Sequence, residues 1–338
     1  MSQPAQTRTD NATEQAHLLT ANAQYLIATA ARAPSVHNSQ PWRFRAGPRA
    51  IELWCDPRRK VQADPIGREM LVSCGAALFG LRLAVRSLGY QPVTELLPDK
   101  SQLRLIARVS IGAAAPMNGL ERAMLAAVPH RHTHRGPFTP GPLPAGLLAG
   151  MQHDALTEGA TLALVGDGLA NDRLARIAAA AARRGDRDPR ARAEIRRWTR
   201  SAFSTARDGV PAAALAGFVT AQPGSGQRLA QRDFDLGRGL ARLPEGGAPP
   251  AATAVLLTQG DHRADWLRAG QALQRLLLHA ASAWVFASLH TQPLEYAVTR
   301  AMIRDDLGLP GYPQMVLQFG TADSAASTPR RPPDELTT

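Results

Sequence analysis

The chain has 338 residues, an apolar share of 44% and a formal net charge of +11, which suffices for one large or two modest globular domains and excludes wholesale disorder. All but two of its 39 basic residues are arginine, spread along the chain without a dense basic run interleaved with aromatic residues, which argues against nucleic-acid binding. Two cysteines are too few for a disulfide framework, and the amino terminus lacks a hydrophobic signal core, so we expect a cytoplasmic protein.

The first third of the chain is predicted to mix helices with short strands. After a disordered lead over residues 1–15, apolar spacing predicts a helix over 16–33, which Pro34 ends. The elements that follow are a hairpin of strands 42–45 and 51–54, a buried helix over 70–88, a strand over 103–112 and a helix opened by a capping box of Asn118 and Glu121.

The second part repeats this pattern with a longer irregular insert. Its predicted elements are a short helix, a strand over 161–165, a helix-rich stretch over 169–206, a strand over 254–258, a helix over 265–289, a strand over 313–320 and an extended tail. Residues 207–250 are rich in Gly and Pro and lack periodicity, which is typical of an active-site lid or a disordered loop. The longest apolar stretch, 276–289, is broken by His279 and is too short to span a bilayer.

An internal similarity links the two buried helices. The pattern Gly75-x-Ala-Leu-x-x-Leu-x-Leu recurs from Gly270 at a constant offset, and each half later reaches a strand that ends in Gly112 or Gly320. This similarity favours two related halves, with the two helices packed on each other as in a dimer core. The predicted domains are residues 16–128 and residues 129–338.

Two motifs have the chemistry of a binding site. The first, PSVHNSQPW over residues 34–42, spaces Asn38 and Gln40 so that both amides, each a donor and an acceptor, could read the edge of a planar heterocycle. The second, RHTHR over residues 131–135, offers guanidinium groups suited to a phosphate. A metal site on His130, His132 and His134 is the alternative, but neighbouring arginines repel a cation. An ordinary polar loop and a solvated basic turn are the structural alternatives.

Two shorter segments, TQPLE over residues 291–295 and the Arg330-Arg331 pair before two prolines, indicate by themselves only a turn and a charged tail. Taken together, the four segments resemble the nitroreductase superfamily of FMN-dependent oxidoreductases. The nearest resemblance is to the actinobacterial Acg-like branch, in which two nitroreductase-like halves are fused in one chain. The resemblance extends over most of residues 17–335 and is weakest over 169–250.

The resemblance implies an α+β nitroreductase-like fold and a noncovalently bound FMN. The residues that it implies around the isoalloxazine ring are Pro34, Ser35, Val36, Asn38 and Gln40. Those implied at the phosphate and ribityl chain are Arg131, His132, Thr133 and Arg135, with Arg330 or Arg331 reaching the phosphate. Gln292, Pro293, Leu294 and Glu295 would present backbone groups near the reactive ring nitrogen. No side chain is required as an acid or base, so no catalytic residue is assigned.

The distribution of the motifs predicts a single site. The first half has the PSVHN loop but no R-x-T-x-R, and the second half has RHTHR but no such loop. In this family each flavin lies between two subunits that contribute these two parts, so we expect an intramolecular pseudo-dimer with one FMN.

The function that the resemblance implies is NAD(P)H-dependent reduction of a nitroaromatic, a quinone or a similar small acceptor. Such a protein would be a monomer or a weak homodimer without nucleic-acid or membrane partners. The long stretch 185–250 raises an alternative, a flavin-sequestering protein in which a closed lid excludes the hydride donor. Trp198 and the turn at Asp208-Gly209-Val210-Pro211 are candidates for packing this lid.

Overall fold

The computed structural model describes residues 4–166, 168–215, 229–239, 248–323 and 328–337, with side chains from residue 14 onward. The described chain contains two four-stranded antiparallel sheets, one from each half of the sequence. Each sheet packs against a long buried helix, and the two helices pack against each other. Residues 216–228 and 240–247 of the predicted lid lie outside the described residues.

The first half consists of one long helix, a hairpin, the first core helix and two further strands. Its elements are α1 (Pro4–Ala31), β1 (Trp42–Ala46), β2 (Ile51–Cys55), α2 (Arg68–Ser87), β3 (Tyr90–Leu96), β4 (Leu105–Ala114) and α3 (Gly119–Ala127). The strands lie in the order β1-β2-β4-β3.

The second half carries additional helices between its strands. Its elements are α4 (Leu147–Thr157), β5 (Thr161–Val165), α5 (Leu169–Arg187), α6 (Pro189–Trp198), β6 (Thr199–Arg200), β7 (Val210–Pro211), β8 (Ala252–Thr258), α7 (Arg263–Ser282), β9 (Val285–His290), α8 (Gln292–Glu295), α9 (Ala297–Asp306), β10 (Tyr312–Thr321) and α10 (Pro333–Leu336). The order of its main sheet is β5-β8-β10-β9. Because the first, second, fourth and third strands are adjacent in that order in both sheets, the halves share one topology.

Much of the predicted secondary structure is confirmed. The hairpin pairs β1 with β2 from Trp42 opposite Cys55 to Ala46 opposite Ile51. The capping box is present, since Glu121 N–H donates to Asn118 Oδ1 and Asn118 N–H donates to Glu121 Oε2, both at 2.8 Å. The strands predicted over 161–165, 254–258 and 313–320 are β5, β8 and β10.

The first helix is longer than predicted. It begins at Pro4, within the segment expected to be a disordered lead. No glycine and no further proline interrupts residues 5–31, and a helix propagates cheaply once its nucleus has formed. Its core contacts lie in the predicted part, where Leu19, Leu26 and Ala30 are buried.

The predicted helix over 265–289 is wrong in its last part. The helix α7 ends at Ser282, Trp284 takes a positive φ of 58°, and the chain turns into β9. Five of the six β9 residues are buried, so the strand lacks the alternation of polar and apolar residues that distinguishes a strand from a buried helix.

Two further elements escaped prediction for local reasons. The strand β3 carries Pro92 and lies at the edge of its sheet, where a missing amide donor is tolerated although it weakens the sequence signal for a strand. The tail, expected to be extended, makes one helical turn in α10 after Pro332, a residue whose fixed φ suits the position before a helix. Residues 292–295, where only a turn was expected, form α8, and α9 follows in a segment for which no element was predicted.

The two core helices touch at the glycines that the sequence pattern aligns. A Cβ on Gly75 would lie 2.3 Å from Leu267 O, and a Cβ on Gly270 would lie 2.0 Å from Val72 O. The helix backbones are therefore closer than any side chain at these positions permits. The predicted packing of α2 on α7 is confirmed.

Of the described helices, α2 has the length and the apolar composition needed to cross a membrane. Within its most apolar window, 83% is buried inside the protein. Packing against the sheet and α7 accounts for this composition.

Candidate functional site

A cavity lies between the two halves, with an empty volume of about 890 Å³ that includes its opening to solvent. Seven regions contribute to its wall: the loop after α1, the start of α2, the RHTHR segment, residues 230–234, α7, the residues from β9 to α8, and β10. The lining residues are Pro34, Ser35, Val36, His37, Glu69, Val72, Ser73, Thr133, His134, Arg135, Ala230, Gln231, Arg232, Phe234, Leu273, Ser288, Leu289, His290, Thr291, Gln292, Pro293, Gln314 and Met315.

The loop after α1 is held in a strained conformation. His37, Asn38 and Gln40 have positive φ angles of 53°, 54° and 50°; each such residue costs on the order of 1–3 kcal/mol, which the surrounding contacts must offset. The Ser35 hydroxyl accepts a hydrogen bond from Gln40 N–H at 2.9 Å. The strain turns Pro34 through His37 toward the cavity.

The two amides of this loop do not line the cavity as the resemblance implies. Asn38 Nδ2 donates to Gly209 O at 3.0 Å and to Pro329 O at 2.9 Å. Gln40 Nε2 donates to Arg207 O at 2.8 Å, while its Oε1 accepts from the backbone of Arg331 at 2.9 Å. These amides therefore join the loop to distant chain segments. Asn38 Oδ1 is buried without a partner among the described residues, and it is still available as an acceptor.

Arginines gather at the carboxyl end of α1, beside the cavity. Arg131 Nη2 and Arg330 Nη2 both donate to Arg32 O, at 3.1 Å and 3.4 Å, so the two guanidinium groups are neighbours. Arg131 Nε and Nη1 and Arg330 Nε are buried without partners in the described part of the chain. Buried donors with no acceptor are costly, and several cations around them mark the place for an anion.

Burial and neighbouring positive charges lower the pKa values of these arginines. Burial, followed by the charges of Arg32 and Arg135, lowers the pKa of Arg131 to about 10. Burial also lowers the pKa of Arg135 to about 10, and burial with the charge of Arg131 lowers the pKa of Arg330 well below its usual value. Arg131 and Arg135 are still protonated at neutral pH. An anion would relieve their mutual repulsion.

The RHTHR segment divides its side chains between the cavity and the core. Thr133 and Arg135 line the cavity, as does His134, which was not predicted. His132 turns away instead, with its ring centroid 4.4 Å from that of Phe286, and burial lowers its pKa to about 4. Arg131 lies behind the wall.

His130 and the two histidines of the RHTHR segment each bond to a backbone carbonyl. The partners are Ala281 O for His130, His130 O for His132 and Pro137 O for His134, at 3.1, 3.1 and 2.9 Å. Among the described residues no group of three His, Cys, Asp or Glu side chains could hold a metal ion.

The predicted 292–295 segment forms the short helix α8 at the end of the cavity. Gln292 and Pro293 line the cavity. Leu294 is buried, and its carbonyl accepts from Arg68 Nη2 at 3.3 Å. Glu295 forms a buried ion pair with Arg232. Arg331 lies outside this wall and bonds with Glu335 in the tail.

Two described stretches, 199–215 and 229–239, lie over the loop after α1; they are here called the cover. In the first stretch Asp208 forms ion pairs with Arg59 and with Arg200, the latter at 2.6 Å. Trp198, just before the cover, is buried, and Val210 is fully buried. Trp198 and Val210 are among the residues that the sequence offered as candidates for packing the lid.

The second stretch of the cover reaches the cavity itself. The ring of Phe234 meets that of His37 edge-on, with centroids 5.4 Å apart. Burial, followed by the charges of Arg232 and Arg135, lowers the pKa of His37 well below its usual value, so the imidazole is neutral. Its Nε2 is buried with no partner among the described residues.

Several lining residues were missed by the sequence reasoning. Glu69 and Arg68 precede an almost uniformly apolar helix, and an acid at such a position could have indicated a buried functional carboxyl. Gln314 is a buried polar residue in the predicted strand β10, and a glutamine within an apolar strand is the signal that could have marked it. Arg232 and Phe234 lie in an aperiodic segment, and no local signal marks them.

The equivalent position in the second half has no comparable loop. Residues 32–41 connect α1 to β1, whereas only residues 158–160 connect α4 to β5. At that position the side chain of Arg268 packs against Gly159, with its Cδ 3.1 Å from where a Cβ would lie. The cavity described above therefore has no counterpart built from the same parts among the described residues.

Comparison with known proteins gives relatives over nearly the whole chain. "Putative NAD(P)H nitroreductase Rv3131" of Mycobacterium tuberculosis is 35% identical over 321 residues, covering 90% of this chain and 88% of that protein. "Putative NAD(P)H nitroreductase acg" of the same organism is 31% identical over 318 residues, covering 92% and 93%. No family model matches the chain.

Two solved structures give lower similarity. A nitroreductase with bound FMN from Desulfitobacterium hafniense aligns with a TM-score of 0.39 at 12% identity, over 66% of this chain and 98% of its own. The FMN-dependent nitroreductase NfnB from Mycobacterium smegmatis, in complex with NADPH, aligns with a TM-score of 0.38 at 17% identity, over 65% and 98%. The full-length relatives decide the assignment: the chain belongs to the nitroreductase family of oxidoreductases, together with Rv3131 and Acg.

Proposed function

We propose that the protein binds one FMN in the cavity between its halves and reduces a nitroaromatic or quinone acceptor at the expense of NAD(P)H. The observation that carries this proposal is the group of buried arginines beside the cavity. Arg131 and Arg330 have unpaired donors next to Arg135 in the cavity wall. A phosphate would satisfy these donors and neutralise the charge, so the residues present fit the phosphate end of FMN.

The other lining residues fit the rest of the cofactor. Pro34, Ser35 and Val36 would lie along the ring, with the free Oδ1 of Asn38 behind them as an acceptor. Thr133 would hold the ribityl chain, Arg135 would join Arg131 and Arg330 at the phosphate, and Gln292 and Pro293 would lie near the reactive ring nitrogen. Bound FMN would supply two-electron transfer between donor and acceptor. The protein would supply the binding, the orientation and the electrostatics.

One complete site in one chain supports a monomeric pseudo-dimer. The short connection at residues 158–160 cannot replace the ten-residue loop that the site uses. We therefore expect FMN to bind with a stoichiometry of one per chain and without a need for a second copy.

The direct test is a visible spectrum of the purified protein, titrated with FMN and then reduced anaerobically with NADPH or NADH. Binding of one equivalent of FMN followed by bleaching with either nucleotide supports the reductase. Failure to take up FMN under any condition contradicts the proposal, because the buried arginines are proposed to bind the phosphate of FMN.

The cover supports a second candidate, a flavin-holding protein with little turnover. Phe234 and Arg232 reach the cavity from the segment over it, where a nicotinamide would have to enter. A protein that holds FMN, ignores both nucleotides and bleaches with dithionite would have this function.

Arg232→Gln is expected to loosen the cover. The buried ion pair between Arg232 and Glu295 ties the second stretch of the cover to α8, and breaking a buried pair costs on the order of 3–5 kcal/mol. We expect NADPH to bleach the flavin of the variant at least about tenfold faster than that of the wild type, because opening the cover then costs less free energy. Stopped-flow absorbance measures this rate.

Arg238→Gln is the matched control, because Arg238 lies in the same stretch and its guanidinium donates to Asp235 O and Phe234 O within it. Equal bleaching rates for the wild type and both variants would show that the cover does not limit access.

A further inference from the structure

Glu69 is a buried carboxyl in the cavity wall to which the proposed function gives no role. It lies in the first turn of α2 and is only 4% exposed. It also lines a second cavity, between the 63–69 segment and the start of α9. The carboxyl thus stands in the partition between the proposed flavin site and a pocket that opens to solvent.

One oxygen of this carboxyl is fixed and the other is free. Arg68 Nη2 donates to Glu69 Oε1 at 3.1 Å and to Leu294 O at 3.3 Å. Arg68 Nη1 donates to Gln314 O at 3.1 Å and to its Oε1 at 3.2 Å. Glu69 Oε2 is buried with no partner in the part of the chain that the structure describes. A single guanidinium group therefore holds the carboxyl next to α8.

Burial and two neighbouring carboxylates oppose the ionisation of Glu69. Burial is the main cause that raises its pKa well above the usual value, followed by the charge of Glu295 and, more weakly, by that of Asp64. Arg68 and Arg232 act in the opposite direction, but Arg232 is itself paired with Glu295. In the neutral acid, the carbonyl oxygen accepts from Arg68, and the hydroxyl is left unpaired.

We propose that Glu69 is the proton donor to the electron acceptor, a catalytic acid in the cavity wall whose buried Oε2 carries the transferable proton. The proposal rests on the proposed function, which places the ring of FMN beside α8. Reduction of a quinone to a hydroquinone requires two electrons and two protons. A hydride brings both electrons and one proton, and the second proton comes from Glu69.

The proposed step is a proton transfer from Glu69 to an oxygen of the acceptor. The O–H bond at Glu69 Oε2 breaks as an O–H bond forms on the oxygen of the acceptor that carries the developing negative charge. The resulting carboxylate is stabilised by Arg68 at 3.1 Å. A solvent proton then restores the acid from the second cavity, whose lining includes Asp64 and the largely exposed Ile66 and Val298.

The test compares Glu69→Gln with the wild type after FMN loading and reduction by dithionite. Glutamine keeps the shape and the acceptor for Arg68 but carries no acidic proton. Reoxidation by a quinone is expected to slow by about 100-fold, the range of a general acid. Reoxidation by ferricyanide, which accepts an electron and no proton, is expected to change less than about twofold. Glu95→Gln, at an exposed position of β3, is the control.

The pH profile gives a second readout. Quinone reoxidation in the wild type is expected to be flat at low pH and to fall about tenfold per pH unit once Glu69 ionises. The same profile in Glu69→Gln is expected to lack this fall. Equal quinone rates in both proteins, or equal losses with quinone and ferricyanide, would overturn the role of Glu69, as would loss of FMN binding in the variant alone.

Infrared spectroscopy of the wild type tests the protonation state without any cofactor. A carbonyl stretch of a neutral carboxylic acid is expected at pH 7, shifting in D2O and absent from Glu69→Gln. If the variant does not fold, the pH dependence of quinone reoxidation compared with ferricyanide reoxidation in the wild type decides the question, and absence of the band overturns the proposal. Failure of the wild type to bind FMN would instead contradict the proposed function, which the band does not depend on.

Discussion

Replacement of Arg131 and Arg135 by methionine together is expected to weaken FMN binding by at least about 100-fold, because two charge-assisted hydrogen bonds to a phosphate contribute roughly 1.5–3 kcal/mol each. The protein is expected to stay folded, since methionine fills the space of the arginine stem. The measurement is a fluorescence titration of FMN, which is quenched or enhanced on binding.

In the protein without FMN, Arg131→Met alone is expected to increase the stability of the fold, although it weakens FMN binding. The pKa of Arg131, lowered to about 10 by burial and then by Arg32 and Arg135, means that folding disfavours its charged form. The lowered pKa of this base destabilises the folded state. The destabilisation is fully present below about pH 10 and declines as the pH rises from there toward the pKa of arginine in the unfolded chain. Arg131→Met is thus expected to raise the free energy of unfolding at pH 7 by on the order of 1–3 kcal/mol.

Arg45→Met is the control, since Arg45 is exposed on β1. It is expected to change neither FMN affinity nor stability. A double variant that stays fully loaded with FMN would show that the phosphate lies elsewhere. Destabilisation by Arg131→Met would show that the guanidinium is satisfied by contacts within the protein.

Gly270→Ala is expected to be the most damaging single-methyl change in the core. The new Cβ would lie 2.0 Å from Val72 O and 2.8 Å from Ala76 N, and neither backbone atom can rotate away. The helices α2 and α7 must then separate, which loses contacts along their whole length. Overpacking costs typically 1–3 kcal/mol and more where backbone must move, so we expect a loss of about 3 kcal/mol or more in urea unfolding.

Gly119→Ala is the matched control for this substitution. Gly119 begins α3, no atom lies within 4 Å of the position that a Cβ would take there, and alanine is the better helix former. We expect Gly119→Ala to be neutral or slightly stabilising. If Gly270→Ala were equally harmless, the close contact of the two helices would be contradicted.

The sequence by itself determined those features that depend on local pattern or on residue chemistry. Apolar spacing located α2, β5, β8 and β10, and the pair Asn118 and Glu121 identified a helix start, because capping uses side chains three residues apart. The repeated glycine in two apolar helices predicted their contact. The loop at 34–42 and the arginines at 131 and 135 were recognised by residue type and spacing.

The tertiary structure alone decided which of these residues face the cavity. Asn38, Gln40 and His132 were equal candidates by sequence, but each side chain bonds or packs elsewhere, since a residue's direction depends on neighbours distant in the chain. Glu69 faces the cavity only because α2 and α8, more than 200 residues apart, meet through Arg68. Burial raises the pKa of that carboxyl, and burial is a property of the folded chain that no local pattern contains.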